Sequence, residues 1–437
     1  MLLRRYISAP LLAVTLLVVM TSLVLAADVT LTIQISESPL ERAQFEAVKE
    51  AFEAKHPHIR LEPEVSGGGS DWIDRTFVQL VAGTAPDIMR TWGPFHVVWA
   101  QNGLLLDLAP YVARDLTSDE IADFFPPTWL SGELHFGERA GMRFGMPRYV
   151  NVGTLWFNKD HFDNSGLLYP TTLYNGGDWN WQTFTESARK LLLHNGDEVT
   201  RWGADEVFSN MRWATYVWAA GGDITNWPNR PLQLTLNSPE VVQGLEFAQR
   251  LRAEHQVMPA EPGNASGFVH QKTSMLLSDA NGILGTHRNA IQGSFNWDIA
   301  PLPIGPSGKG PSWTASDLWS VSASTAHPEE AWTVVKFLSS REGMALWTGA
   351  SGQGPARHSL LEHYSSVVPD FISAWVFFEA AGNANLMATQ YLPNANEIQA
   401  VLRDAVLAIY RSEKSVQQAL SEVTPVVETL IADLIAQ

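Results

Sequence analysis

The sequence has no cysteine among its 437 residues. Disulfides, thiolate catalysis and cysteine-ligated metals are therefore excluded, and so is a lipid-modified cysteine tether. Positive charge is also scarce: 29 lysines and arginines stand against 46 aspartates and glutamates, a formal net charge of −17. With no basic cluster to reverse it locally, that balance argues against a nucleic-acid partner or an anionic membrane surface. Internal repeats, low-complexity tracts and metal-binding motifs are missing too, so neither a metal nor a cofactor is expected.

What is present begins with Arg4 and Arg5, followed by the apolar run Leu11–Leu25 and the small-residue exit Val24-Leu25-Ala26. This has the layout of a secretory signal, with cleavage expected after Ala26. The run is short for a spanning helix, although an uncleaved anchor would use the same residues. Arg4-Arg5 alone is weak evidence for twin-arginine export. Removing both leaves 27 basic against 46 acidic residues, a mature charge of −19. An exported chain without disulfides must rely on its core, which fits the periplasm or the outer face of a bacterial membrane. At this length two domains are expected, and 45% hydrophobic residues supply ample core.

Val29–Ile35 alternates as a strand, and Ser38-Pro39 with Glu41 predicts a capping box opening a helix that stops before Pro57. Ile59–Val65 reads as a strand, Asp71–Val81 as a helix, Asp87–Met89 as a short strand and Arg90–Phe95 as an aromatic loop. This alternation is an α/β pattern with parallel pairing. Further helices are predicted over Trp181–Leu193, Arg212–Ala220, Ser238–Ala253 and Pro328–Leu338, and through most of the C-terminal third. Strands are predicted over Ser274–Leu277 and Trp297–Leu302, with a Pro/Gly-rich connector at Pro303–Ser312.

The stretch Gly141–Phe162 stands apart. Its β-branched, aliphatic and aromatic residues from Val150 to Phe157 lack a helical repeat and read as a buried strand, entered through the polar pair Tyr149 and Asn151. Two readings follow: a strand whose polar residues cap its edge, or one passing between lobes with its entrance facing a cleft.

Several stretches, in order, resemble the family 1 extracellular solute-binding proteins of ATP-binding-cassette (ABC) importers, the group that includes maltose-binding protein. They are Ala82–Ile88 (AGTAPDI), Gly103–Leu108 (GLLLDL), the Phe144–Phe162 crossing with Phe157-Asn158-Lys159-Asp160, Trp297–Pro303 (WDIAPLP), Thr314–Ser324 and Gly352–Arg357. The resemblance covers essentially the whole mature chain. It implies a two-lobed periplasmic-binding-protein fold of type II. Each lobe would be a mostly parallel sheet flanked by helices, with ligand in a cleft at the hinge. One lobe would comprise 27–150 plus 311–355 and the other 151–310 plus 356–437. Hinge closure needs connectors that absorb backbone rotation, and the segments 145–151 and 303–312 suit that role.

The chain carries 17 tryptophans. Trp72, Trp92, Trp213, Trp218 and Trp319 lie at element ends or beside glycine and polar residues. An aromatic plane buries the apolar face of a sugar, while acid, amide and guanidinium groups pair with its hydroxyls. Core packing is the plainer role for any single tryptophan. Ser36 and Glu37 follow the first strand at its C-terminal end, where open α/β sheets bind ligands, though Glu37 would also favour the adjoining helix start. The resemblance adds Gly93 and Phe95 in the loop after the third strand, Asn151 with Tyr149 on the crossing strand, and Trp218, Gly222 and Asp223 in a "W, GG, D" region. It also adds Asn281, where relatives carry a Gly-Ser-Trp loop, together with Asp317 and Trp319 on the returning stretch. Arg357 would pair with ligand or lock the lobes together. The function implied is capture of a carbohydrate, an oligosaccharide, by a monomer that delivers it to an ABC permease. Glycerol-3-phosphate or a glycerophosphodiester is the alternative ligand. An exported carbohydrate-active enzyme would need two carboxylates across a bond, a role open only to Glu37 and Asp223.

Overall fold

The computed structural model describes residues 29–67, 71–92, 94–208, 211–229, 232–280, 288–349, 353–392 and 394–432. The expected signal, 1–26, lies outside them. Ten strands form one sheet: β1 Val29–Ser36, β2 Ile59–Ser66, β3 Ile88–Trp92, β4 Met146–Asn158, β5 Leu193–Asn195, β6 Glu198–Glu206, β7 Thr273–Asp279, β8 Trp297–Ala300, β9 Ser312–Val321 and β10 Ala384–Leu386. Their order is β2-β1-β3-β9-β4-β7-β6-β5, with β10 beside β9 and β8 beside β4.

β4 is the hub. Its first half, Met146–Val152, pairs with β9, while Gly153–Phe157 pairs with β7 and Leu155–Asn158 with β8. The strand therefore changes partners midway, leaving β9 for β7 and β8. It starts earlier than the apolar run suggests, because Met146 and Pro147 find partners in Trp319 and Leu318. A register shift between Pro147 and Tyr149 marks its entrance.

The sheet is mixed rather than mostly parallel. β1/β2, β1/β3, β6/β7 and β10/β9 are parallel, but β3/β9, β9/β4, β4/β7, β4/β8 and β5/β6 are antiparallel. The reason is the return of the chain: β9 runs back between β3 and β4 against both.

Helices cover the sheet by burying their periodic apolar positions. Helix Pro39–Lys55 buries Phe45, Val48 and Phe52, and helices Pro328–Leu338 and Arg341–Gly349 pack beside it. Helix Pro239–Ala253 buries Val241, Leu245, Phe247 and Leu251 and carries helices Ala395–Tyr410 and Val416–Leu430. Each such side chain contributes about 1.5–3 kcal/mol of transfer free energy.

Local chemistry holds at Ser238, whose hydroxyl accepts from the Val241 N–H at 3.3 Å. It fails at Ser38, which makes no side-chain cap bond. Glu41 turns instead to β1 and accepts from the Ser36 backbone N–H at 3.0 Å and from the Ser36 hydroxyl. The expected loop at Arg90–Phe95 is also shorter. Pairing with β9 keeps Arg90–Trp92 extended, and helix Pro94–Gln101 follows.

Past residue 355 the chain stays packed on residues 120–125 and 339–349. Arg357 is bound to Asp123 and the Ser339 carbonyl, the rings of His358 and Phe125 lie 4.1 Å apart, and helix Leu361–Val367 packs on Arg341–Gly349. Among the described residues no helix is long and apolar enough to cross a membrane.

Candidate functional site

Where β3 ends, three strands bring one residue each into a single row. Trp92 on β3 is opposite Asp317 on β9, and Asp317 is opposite Tyr149 on β4. Paired residues share a face of the sheet, and so do residues two apart along a strand. That face therefore also carries Arg90 and Asn151. Burial alternates accordingly: Arg90, Trp92, Tyr149, Asn151 and Asp317 are partly exposed, while Thr91, Val150, Val152, Ser316 and Leu318 are buried. The open face is polar and aromatic, and the other face is core.

A charged layer lies under this row. The Tyr149 hydroxyl donates to the Asp317 carboxylate, and burial pushes Asp317 up from 3.8 to about 6 even though Arg148, Tyr149 and Arg90 pull the other way. Burial, and then the Asp317 charge, raises the Tyr149 phenol in turn. Arg148 is 3% exposed. Its guanidinium sits 4.6 Å from the ring centres of both Trp319 and Trp347, and it donates to Glu41. Arg90 lies 3.4 Å from the same Glu41, donates to the Ser66 hydroxyl at 3.1 Å and covers the Trp72 ring at 4.4 Å. Burial alone would raise the Glu41 carboxyl; Arg148, Ser36 and Arg90 together hold it below its usual range.

The second half offers its own surface. Arg212 reaches Asp279 of β7 at 3.1 Å and lies 4.5 Å above the Trp313 ring of β9. Its neighbours Met211 and Trp213 join Phe208, Asn396, Gln399, Ala400 and Arg403 around a cavity of about 200 Å³. Met211 adopts the left-handed φ of 60° at this point.

Of the residues expected at the site, the structure brings together Trp92, Tyr149, Asn151 and Asp317. Trp319 shares their face but is 0% exposed, standing edge-on to Trp347 at 4.8 Å with the Arg148 guanidinium 4.6 Å over its ring. Trp72 is buried under Arg90, and the Ser36 hydroxyl is taken by Glu41, while Glu37 is exposed just beyond it. Trp218, Gly222 and Asp223 satisfy one another's surroundings instead. The Trp218 indole donates to Asp223 at 3.1 Å, and a Cβ on Gly222 would lie 2.9 Å from the Val241 nitrogen. Asp223, raised by burial, also accepts from the Ile224 N–H at 2.7 Å. Arg357 is spent on the first half, bonding Asp123 and the Glu120 and Ser339 carbonyls while covering Phe124 at 3.8 Å. Gly93 and Asn281 lie outside the described residues, as does the Phe95 side chain. The sequence reading missed Arg90, Arg148 and Glu41. A lone arginine in the strand Met146–Asn158 was the available signal. Among the described residues no group of three or more metal-ligating side chains occurs.

Residues 37–345 match the family model described as bacterial extracellular solute-binding protein. A curated binding protein of Brucella abortus (strain 2308) is 23% identical over 387 residues, covering 83% of this chain and 87% of its own. An ABC substrate-binding protein from Listeria monocytogenes in complex with cycloalternan superposes with a TM-score of 0.72 at 20% identity, over 92% of this chain and 99% of that one. UgpB from Mycobacterium tuberculosis in complex with glycerophosphocholine gives 0.73 at 17% identity, over 92% and 99%. The family match spans well over half of the chain, and the two-lobed neighbours share its α/β sheet: this chain belongs to the bacterial extracellular solute-binding proteins.

Proposed function

We propose that this protein captures a neutral carbohydrate, an oligosaccharide, in a hinge cleft between its two lobes and delivers it as a monomer to the permease subunits of an ABC importer. The observation that carries the reading is the Trp92–Asp317–Tyr149 row with Asn151 beside it, partly exposed on one face where β4 passes between the halves. A ring for the apolar sugar face stands next to carboxylate, phenol and amide groups for its hydroxyls. Each hydroxyl partner left unpaired on burial costs about 1–3 kcal/mol, which is the source of specificity. Met211, Trp213 and Gln399 line a separate cavity in the second half. Closure follows from contacts made to both lobes at once, since a ligand shifts an equilibrium only by its differential affinity.

The glycerophosphodiester reading has a bound relative in its favour. Against it, the two guanidiniums at the row, Arg90 and Arg148, face two carboxylates, Glu41 and Asp317, which leaves no surplus cation for a phosphate. The family consists of binding proteins, and Asp223 is engaged with Trp218 rather than poised across a bond. The chain is therefore assigned no catalytic activity. Export to the periplasm or outer membrane face completes the assignment. The test is a thermal-shift screen over mono- and oligosaccharides and glycerol phosphates, since a ligand bound only by the folded state raises its melting temperature. A neutral oligosaccharide should give the largest shift. No shift from any sugar would end the reading.

A further inference from the structure

Glu41 and Arg148 lie beneath the row rather than in it, Arg148 5.2 Å from the Tyr149 ring, and they join every strand that forms it. Arg148 opens β4 and Glu41 rises from helix Pro39–Lys55. Their pair is bridged to β1 through Ser36, to β3 through Arg90 and to β9 through Trp319 and Asp317. A guanidinium this deeply buried stays charged. It therefore needs its counter-charges in place, and the groups that face it are Glu41, Asp317 and the Tyr149 phenol. The groups that face Asp317 are in turn Arg148, Tyr149, Arg90 and Glu41. Glu41 also occupies Arg90, the one of the two guanidiniums that retains some exposure.

We propose that Glu41 and Arg148 are the positioning pair of the ligand site, with Arg148 holding Asp317 as a charged acceptor for ligand hydroxyls and Glu41 neutralising Arg90, so that the site accepts an uncharged polyol and rejects an anionic group. This rests on the solute-binding reading above. Two cations and two anions share the layer, so an incoming phosphate or carboxylate would have to displace Glu41 or crowd Asp317. The hydroxyls of a neutral sugar ask for neither. Trp319 and Trp347, edge-on to each other with centroids 4.8 Å apart, both pack against one side of the guanidinium at 4.6 Å.

The test reads the Asp317 carboxyl directly by carbon NMR in the full-length, ligand-free protein, with D317N identifying the signal. R148M should raise its titration midpoint by at least one pH unit, about a tenfold gain in proton affinity, and R148K should restore most of the difference. Should R148M fail to fold, E41Q/R148M removes both charges together and should show a smaller rise in the same direction, because Glu41 also pushes the Asp317 carboxyl up. An unmoved midpoint in a folded variant overturns the proposal. So does stabilisation of the wild type by glycerol 3-phosphate, the anionic probe in a parallel thermal-shift series. A sugar panel without any response would count against the proposed function alone, because the carboxyl titration needs no ligand.

Discussion

Gly153 sits on β4 where that strand leaves β9 for β7, and its lack of a side chain is required by Trp313. A methyl group on Gly153 would lie 2.7 Å from Cδ1 and 3.1 Å from Cε2 of the Trp313 indole, and closer still to Nε1. The indole cannot swing away freely. It is 4% exposed, Arg212 lies over its face at 4.5 Å, and its strand is pinned by the Ser312 hydroxyl donating to the Gly153 carbonyl at 2.8 Å. Overpacking of this kind costs about 1–3 kcal/mol, which lowers the melting temperature of a chain this size by about 1–3 °C. All three clashing atoms belong to the five-membered ring, which phenylalanine lacks. G153A in the wild type should therefore be clearly destabilised, while G153A introduced into W313F should cost little. Urea unfolding of the four proteins gives the cycle, with a coupling energy of about 1 kcal/mol or more expected for groups in contact. Strictly additive costs, or a G153A protein as stable as wild type, would refute the reasoning.

D317N should weaken sugar binding about 10- to 100-fold, the loss of a hydrogen bond to a charged group, as read by calorimetry with the best sugar from the screen. In the wild type, affinity should fall as pH drops through about 6, where burial places the Asp317 titration; a flat profile from pH 7.5 to 5 would exclude Asp317 as an acceptor. Asp205, 4% exposed, is likewise raised from 3.8 to about 6 by burial. A raised folded value means that its contribution to stability is present below pH 4 and lost as pH rises through 6, a swing of about 3 kcal/mol that D205N should remove from the urea-unfolding pH profile. R357M should destabilise the fold by about 1–3 kcal/mol, because the Glu120 and Ser339 carbonyls lose their guanidinium donor while Ser359 still donates to the partly exposed Asp123, and sugar affinity should stay within about twofold.

Much of the fold was legible because period-2 runs and apolar helix faces are local signals. β1, β2, β7 and helix Pro328–Leu338 lie within a residue or two of their expected bounds. The misses share one cause, partners far along the chain. Glu41 matched a capping box in sequence, but Arg148, 107 residues away, draws its carboxylate elsewhere. Trp92 sits where a loop was expected because β9, more than two hundred residues later, extends β3 through it. Trp319 is flanked by polar residues and resembles a surface ring, yet Trp347 and Arg148 enclose it. Tyr149 and Asn151 stand out because polar residues interrupt an otherwise apolar strand, an interruption visible without any partner, whereas Asp317 is marked by the family resemblance alone.

The position of β9 also bears on how the chain acquires its structure as it emerges. β9 is the central member of the first half, lying between β3 and β4, yet it is made only after β5–β8 have been completed. Until residue 321 is available, β3 and β4 have no ladder joining them, and the amino-terminal region remains an unfinished sheet with open edges. The carboxyl-terminal-side strands β4, β7 and β6 have no such wait. A nascent chain stalled before residue 312 should therefore be protease-sensitive in its first 145 residues, and one stalled beyond residue 349 should resist.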